Sequence, residues 1–291
     1  MTILITGANG QLGKALKTAL EDLSPIALNR SDFDLQNGNA KELLNKYRPS
    51  AVINAAAYTA VDKAETDSET ANIVNHTAVN DLAIACKDTD TRLFHISTDF
   101  VFDGTSNIPY EVDSSCQPLG VYGQSKLKGE QAIQQHLPDN SCIIRTAWLY
   151  SHNTGNFVTT MLRLMKEKSE LGIVSDQVGT PTSTETLALF IRIAIQKNLQ
   201  GVFHWTDSGV ASWYDFAIAI YEEATSAGLL KNDITIKPIF TRDYPTPAKR
   251  PHFSVLDKSK SIEESGLSPT HWRTPLRDVI KKIAFREQHI D

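Results

Sequence analysis

"TILITGANGQLGKALKTAL", residues 2–20, decides the architecture of this chain. A short apolar run, "TILIT" (2–6), passes into a glycine-rich loop, and the loop opens a helical pattern at 11–20. Gly7, Gly10 and Gly13 recur at every third position of "TGANGQLG". Glycines so placed permit a tight turn, let backbone amides approach a pyrophosphate, and allow the helix to pack closely on the strand. The helix N-terminus adds aligned N–H groups and a partial positive charge. A plain strand-to-helix turn would need none of this spacing. A nucleoside-triphosphate loop would need a glycine five residues before Gly13 and a Ser or Thr after Lys14. Ala8 and Ala15 stand there, which excludes that class.

Outward from this unit the first half of the chain keeps alternating. Strand-like runs fall at 25–28, 51–57, 92–97 and 142–148, separated by helical patterns at 40–47, 69–87 and 125–137. Such alternation predicts βαβ units in an α/β fold, a Rossmann-type doubly wound parallel sheet with helices on both faces. The rhythm breaks later: a helical stretch at 213–228 is followed by the proline-rich loop "RDYPTPAKRP" (242–251). A smaller α/β substrate domain built from the later chain is expected. The expected division is 1–150 plus about 180–206 for the dinucleotide, and about 151–179 plus 207–291 for the substrate.

Composition removes several functions. The net charge of −5 and the lack of any basic stripe argue against a nucleic-acid partner. Cys86, Cys116 and Cys142 are odd in number and widely spaced, so neither a disulfide framework nor a zinc site is indicated. No stretch reaches the roughly 20 apolar residues of a membrane span, and the N-terminal run lacks a basic region or cleavage site. A cytoplasmic protein without a membrane partner is expected.

Chemistry gathers at the predicted C-terminal edge of the sheet. The third run ends in "NAAAYTAVDKAE" (54–65), whose small residues leave room for a ligand. The fourth ends in "ISTDFVFDG" (96–104), with Ser97 and Thr98 free to cap the strand or to bind a substrate oxygen. In "VYGQSKLKGE" (121–130), Tyr122 and Lys126 stand four apart, on one face of a helix. A neighbouring ammonium lowers a phenol's pKa, which would make the pair an acid usable near neutral pH. Lys128, six residues on, is turned away.

Together "TGANGQLG", the hydroxyl residue after the fourth strand and YxxxK resemble the extended short-chain dehydrogenase/reductases. With "IIRTAWLYS", "NFVTTMLRL", "DQVGTPTSTETLA" and "YPTPAKRP", the chain is similar to the dTDP-4-dehydrorhamnose reductase family from residue 2 to about 280. That resemblance implies NADPH- or NADH-dependent reduction of the C4 keto group of dTDP-4-dehydro-6-deoxy-L-mannose, giving dTDP-L-rhamnose. It implies Thr98, Tyr122 and Lys126 as the catalytic set: Tyr122 the proton donor, Lys126 bound to the nicotinamide ribose and lowering the phenol's pKa, Thr98 holding the substrate oxygen. Cofactor contacts carry over to Gly7, Asn9, Gly10, Gln11, Leu12 and Gly13, to Asp34 and Leu35 beside the adenine, and to Ala55, Ala56 and Ala57. Arg30 stands where an arginine accommodates a 2′-phosphate, which favours NADPH. Thr59, Val61, Asp99, Phe100 and Trp148 would face the dTDP-sugar, and Arg250 its diphosphate.

Two departures stand out. Glu185 matches a glutamate through which some family members share a metal between subunits, but Lys14, Ala15 and Arg273 occupy the places of its partners, so no metal is expected. Phe100 replaces a common tyrosine. A homodimer is compatible with the resemblance. The alternatives are another nucleotide-sugar epimerase or reductase of the same fold, and a non-catalytic reductase-like regulatory subunit.

Overall fold

The computed structural model describes residues 1–153 and 155–289. Six parallel strands form the central sheet: β1 (Ile3–Thr6), β2 (Ile26–Leu28), β3 (Ala51–Asn54), β4 (Arg92–Thr98), β5 (Ser141–Thr146) and a last strand, Gly201–His204. Their spatial order is β2-β1-β3-β4-β5 and then Gly201–His204, so the winding reverses between β1 and β3. A crevice opens at such a reversal, outside the carboxyl ends of the strands. This is the Rossmann-type sheet expected.

The unbroken apolar runs follow from burial on both faces. Side chains alternate along a strand. Ile3, Ile5, Ala51, Ile53 and Phe94 therefore join one core with Leu12 and Leu16 of α1 (Gln11–Ala19) and with Leu187 and Ile191 of the helix Thr184–Gln196. Leu4, Val52, Leu93 and Ile143 face the other way. They meet Leu44 of α2 (Ala40–Tyr47) and, after the short α3 (Val61–Ala64) and α4 (Ser68–Asn72) in chain order, the helices α5 (Ala78–Asp88) and α6 (Val121–His136). On this side Leu82 comes from α5 and Ile133 from α6. Each such side chain contributes about 1.5–3 kcal/mol when fully buried.

Three elements differ from the periodicity. The run 51–57 is a strand only to Asn54, where its pairing with Thr6 and His95 ends, and Ala55–Ala57 continue along the sheet edge without a partner strand. The helical pattern 69–87 is interrupted by a π-turn, Ile73–Thr77. Asn75 in that turn accepts from Tyr58 N at 2.9 Å and donates to Tyr58 O and Ser125 Oγ at 3.0 and 3.1 Å. The fifth run stops at Thr146, because Trp148 takes a left-handed φ of 49° and turns the chain away.

The later chain has its own core. Val158 and Leu162 of the helix Phe157–Glu167 pack with Phe216 and Ile220 of Trp213–Ser226, and with Leu276 and Ile280 of Arg273–Gln288. Strands Glu170–Val174 and Thr235–Ile239 pair in parallel beside them. Among the described residues, no helix is long and apolar enough to cross a membrane.

Under the sheet's carboxyl end, Arg145 of β5 grips Glu130 of α6 with Nη2 at 2.7 Å and Nε at 3.1 Å from both carboxylate oxygens. Both side chains are buried. Removing one partner leaves an uncompensated buried charge, so Glu130→Ala is expected to destabilise the fold by about 3–5 kcal/mol. Urea denaturation followed by circular dichroism measures this; a loss below about 1 kcal/mol would show that water replaces the carboxylate.

Candidate active site

A cleft of about 970 Å³ lies along the carboxyl ends of β1, β3, β4 and β5. One end is lined by Gly7, Gly10, Gln11 and Leu12, with Arg30, Phe33, Asp34 and Leu35 beyond β2. Gly13 sits behind that wall, where a Cβ would come within 2.2 Å of the Gly7 carbonyl oxygen. Only glycine lets α1 start this close to the loop, which keeps its first N–H groups at the cleft. Gln11 ties the loop to the later chain, its amide oxygen accepting from Ser151 Oγ and Asn156 Nδ2, each at 2.9 Å. This cradle, continuous with Ala55, Ala56 and Ala57, fits an extended dinucleotide.

The other end carries the titratable groups. Glu65 caps α6, accepting from Val121 N at 2.9 Å. At Gly123 a Cβ would stand 2.2 Å from the Phe100 carbonyl oxygen, so α6 can press on the segment after β4 only with glycine there. That contact brings Tyr122 against Thr98 and sets its ring edge-on to Phe100, with centroids 5.6 Å apart. Burial pushes the Tyr122 phenol up to about 12; a hydrogen bond with Thr98 opposes this and the charge of Asp99 adds to it. Thr98 Oγ1 also donates to Asp99 Oδ1 and accepts from Phe100 N, both at 3.2 Å.

Lys126 corrects the sequence-based expectation. Its Nζ donates to the Ile96 carbonyl at 2.6 Å and stands 3.0 Å from His95 Nε2, so the ammonium is held by the sheet rather than by the phenol. Burial pulls Lys126 down to about 8 against the attraction of Glu130. Ser97 is also spent on structure: its hydroxyl donates to Glu130 Oε1 and is not offered to a substrate.

Of the residues singled out in the sequence, Thr98, Tyr122, Lys126, Arg30, Asp34, Leu35, Thr59, Val61, Asp99, Phe100 and Trp148 all line the cleft with the loop and the three alanines. Asn9 and Gly13 do not line it; the first is exposed on the loop and the second buried behind it. Arg250 does not line it either. Its guanidinium is already bidentate on Asp62, at 3.0 and 2.7 Å, with Thr246 Oγ1 at 2.6 Å. The anion it holds here is a carboxylate of its own chain. Arg30 is paired as well, its Nε 3.4 Å from Asp34 Oδ1, but that side chain is 77% exposed at the cleft. Glu185 is engaged by Lys282 Nζ at 2.6 Å.

Several lining residues carried no sequence signal. Tyr58 donates to Asp67 Oδ2 at 3.1 Å, and Lys63 pairs with the same carboxylate at 3.5 Å. Trp148 stacks on Trp213 with ring centroids 3.5 Å apart and planes 6° from parallel. Trp213 lies in a helical pattern whose spacing gives no hint of that contact.

A parallel sheet with a glycine loop at its reversal, and a Tyr/Lys helix beside a threonine at the end of β4, defines an extended short-chain dehydrogenase/reductase. The sequence profile of the family described as "RmlD substrate binding domain" matches residues 1–285. The dTDP-4-dehydrorhamnose reductase of Aggregatibacter actinomycetemcomitans is 40% identical over 287 residues, covering 95% of this chain and 97% of the relative. A crystal structure of a dTDP-4-dehydrorhamnose reductase from Clostridium acetobutylicum superposes with a TM-score of 0.90 at 38% identity, over 97% of this chain and 99% of that one. The Bacillus anthracis dTDP-4-dehydrorhamnose reductase, solved in complex with NADP, gives 0.90 at 32% identity over the same shares. This chain belongs to the dTDP-4-dehydrorhamnose reductase family.

Asp99 yields a test of the site's electrostatics. It is 2% exposed, its Oδ2 has no hydrogen-bond partner among the described residues, and burial raises its carboxyl from 3.8 to about 6. A folded-state value above the unfolded one means that the protonated form favours folding. That contribution is present at low pH and is lost as pH rises from about 4 through 6. Asp99→Asn, neutral throughout, is expected to gain roughly 2–3 kcal/mol on the wild type between pH 4 and pH 8. Urea melts at both ends of that range measure it; a difference independent of pH would show that the carboxylate is solvated.

Proposed function

We propose that this protein reduces the C4 keto group of dTDP-4-dehydro-6-deoxy-L-mannose to give dTDP-L-rhamnose, with NADPH as the favoured reductant and NADH accepted. One observation carries this reading: a single cleft joins a glycine-loop cradle with Arg30 at its far end to Thr98, Tyr122 and Lys126 at the other. A bound nicotinamide cofactor supplies the hydride. The backbone amides of Gly7–Leu12 hold its pyrophosphate, the three alanines leave room for it beside β3, and Lys126 binds its ribose.

The chain's own groups do the rest. Thr98 holds the C4 oxygen beside the phenol and fixes its direction of approach. Tyr122 gives its proton to that oxygen as negative charge develops there. With its pKa at about 12 the phenol is fully protonated at neutral pH, ready to donate. Trp148, immobilised on Trp213, offers an apolar face to a ring of the dTDP-sugar. Arg250 acts through Asp62: it straps the 241–251 loop to α3, next to Thr59 and Val61, and so closes the substrate side. Residues 1–150 with about 180–206 would then bind the dinucleotide, and the remainder the sugar nucleotide. Supporting this division, Gly201–His204 pairs with β5 and the helix Thr184–Gln196 packs on α1. The same reading places the enzyme in the cytoplasm, where sugar nucleotides and reduced cofactor are made.

Incubating the protein with NADPH and a panel of dTDP-linked and other nucleotide-linked 4-keto-6-deoxyhexoses tests the proposal directly. Cofactor oxidation with dTDP-L-rhamnose as product supports it; an isomerised sugar without net NADPH consumption would make the protein an epimerase. Tyr122→Phe is expected to keep NADPH affinity while turnover falls by ~10²–10⁴, the usual contribution of a general acid. Turnover within a few-fold of wild type would remove Tyr122 from that role.

Arg30 decides between cofactors. Its guanidinium can leave Asp34 for a 2′-phosphate and make charge-assisted hydrogen bonds there. Arg30→Ala is expected to weaken NADPH binding roughly 10-fold or more, in line with the 1.5–3 kcal/mol of such bonds, and to leave NADH binding nearly unchanged. Fluorescence titration with both cofactors reads the difference; equal losses would assign Arg30 to structure alone.

A further inference from the structure

Beneath the cleft floor, one rung of the sheet is polar. Thr6, Asn54 and His95 are register partners across β1, β3 and β4. Thr6 Oγ1 donates to Asn54 Oδ1 at 2.7 Å, Asn54 Nδ2 lies 3.1 Å from His95 Nδ1, and His95 Nε2 lies 3.0 Å from Lys126 Nζ. All four side chains are buried, and neither Thr6, Asn54 nor His95 lines the cleft. A buried polar rung costs stability unless every group is satisfied, and aliphatic residues would fill the same space in a sheet packed on both faces. The fold alone has no need of it.

Counting protons gives the rung a purpose. An ammonium has three N–H donors and no lone pair. Lys126 gives one to the Ile96 carbonyl. A second points at His95 Nε2, which must then accept, so the neutral ring carries its proton on Nδ1. With Nδ1 protonated, the Asn54 amide must present its oxygen to that N–H and its NH₂ to Thr6 Oγ1, the reverse of the orientation above; oxygen and nitrogen of an amide are nearly the same size, and the hydrogen-bond network decides between them. Every acceptor then has one donor, and a single N–H of Lys126 is left for the cleft it lines.

We propose that His95 is a positioning residue for the reaction: by accepting from Lys126 through Nε2, with its Nδ1–H taken up by Asn54, it fixes the direction of the one N–H that Lys126 presents to the cleft. The inference rests on reading Lys126 as the group that faces cofactor ribose and phenol. After losing a proton, Lys126 keeps both sheet-side bonds and turns a lone pair to the same spot, so one geometry serves both charge states. Burial, then the Lys126 charge, hold the His95 ring well below the ordinary histidine range, and it stays a neutral acceptor. The charged and titratable groups around the pair are Glu130 on α6, neutralised by Arg145 of β5, with Tyr122 and Asp99 on the cleft side.

Two measurements test this. In the wild-type protein, ¹⁵N-histidine NMR at neutral pH should show His95 protonated on Nδ1 with an unprotonated Nε2. A proton on Nε2 would overturn the proposal whatever the enzyme reduces, so its failure is distinct from failure of the substrate assignment. In kinetics, His95→Leu removes the acceptor and makes the ammonium less favourable. The alkaline limb of kcat/KM should move down by about one pH unit, and kcat should fall about tenfold or more, with KM for the sugar nucleotide within about twofold. His95→Gln, whose side-chain oxygen can reach the Nε2 position, should restore the limb to within a few tenths of a unit. An unmoved limb in a folded Leu variant, or equal damage in Leu and Gln, would reduce His95 to packing. If the Leu variant does not fold, the tautomer decides alone.

Discussion

The site depends on one steric constraint: α6 is held at backbone distance on both of its flanks. On one side Gly123 lies against the Phe100 carbonyl, and on the other a Cβ at Gly129 would stand 2.3 Å from the Asn75 carbonyl oxygen. No side chain separates the helix from either neighbour, so its position is fixed by hard contact and cannot be tuned by rotamers. Asn75 belongs to the π-turn that also clasps both backbone groups of Tyr58. The register of Tyr122 against Thr98, and of Lys126 against His95, follows from these contacts. A π-turn at such a place is costly in a helix and is commonly found where function requires it.

Around that helix the interior is polarised in a consistent way. Burial raises Tyr122 and Asp99 and lowers Lys126 and His95, so every group is biased toward its neutral form. Glu130, also buried, has its carboxylate oxygens taken up by Arg145 and Ser97. A protonated phenol at the cleft and an ammonium close to losing its charge are a suitable pair for giving a proton to a carbonyl oxygen near neutral pH.

The later chain contributes by clamping. Trp148 stands in a left-handed backbone conformation, stacks on Trp213 and lies close to Gly179, where an added Cβ would come within 2.7 Å of the indole. Arg250, Asp62 and Thr246 fasten the proline-rich loop to α3. Cleft-lining Trp148, Thr59 and Val61 are thereby positioned before any ligand arrives, and preorganisation of this kind lowers the ordering cost of binding.

The sequence by itself determined the sheet, the glycine loop and the Tyr122/Lys126 face, because these depend on local periods and spacings. Alternation of apolar runs, glycines three apart and two residues four apart on a helix are properties of neighbouring residues, and each is found in the structure as an element of the expected type. What the long-range packing decided was where each charge points. Lys126 was legible as a partner of Tyr122, yet its ammonium turns from α6 to His95 on β4. Arg250 was legible as a cation between prolines, yet Asp62, 188 residues away, holds it. Asn54 and His95 read as ordinary positions in apolar runs, and only strand register lines them up with Thr6. The physical reason is that a hydrogen bond or ion pair is satisfied by whichever partner the fold brings within about 3 Å, and sequence spacing says nothing of partners contributed by other strands.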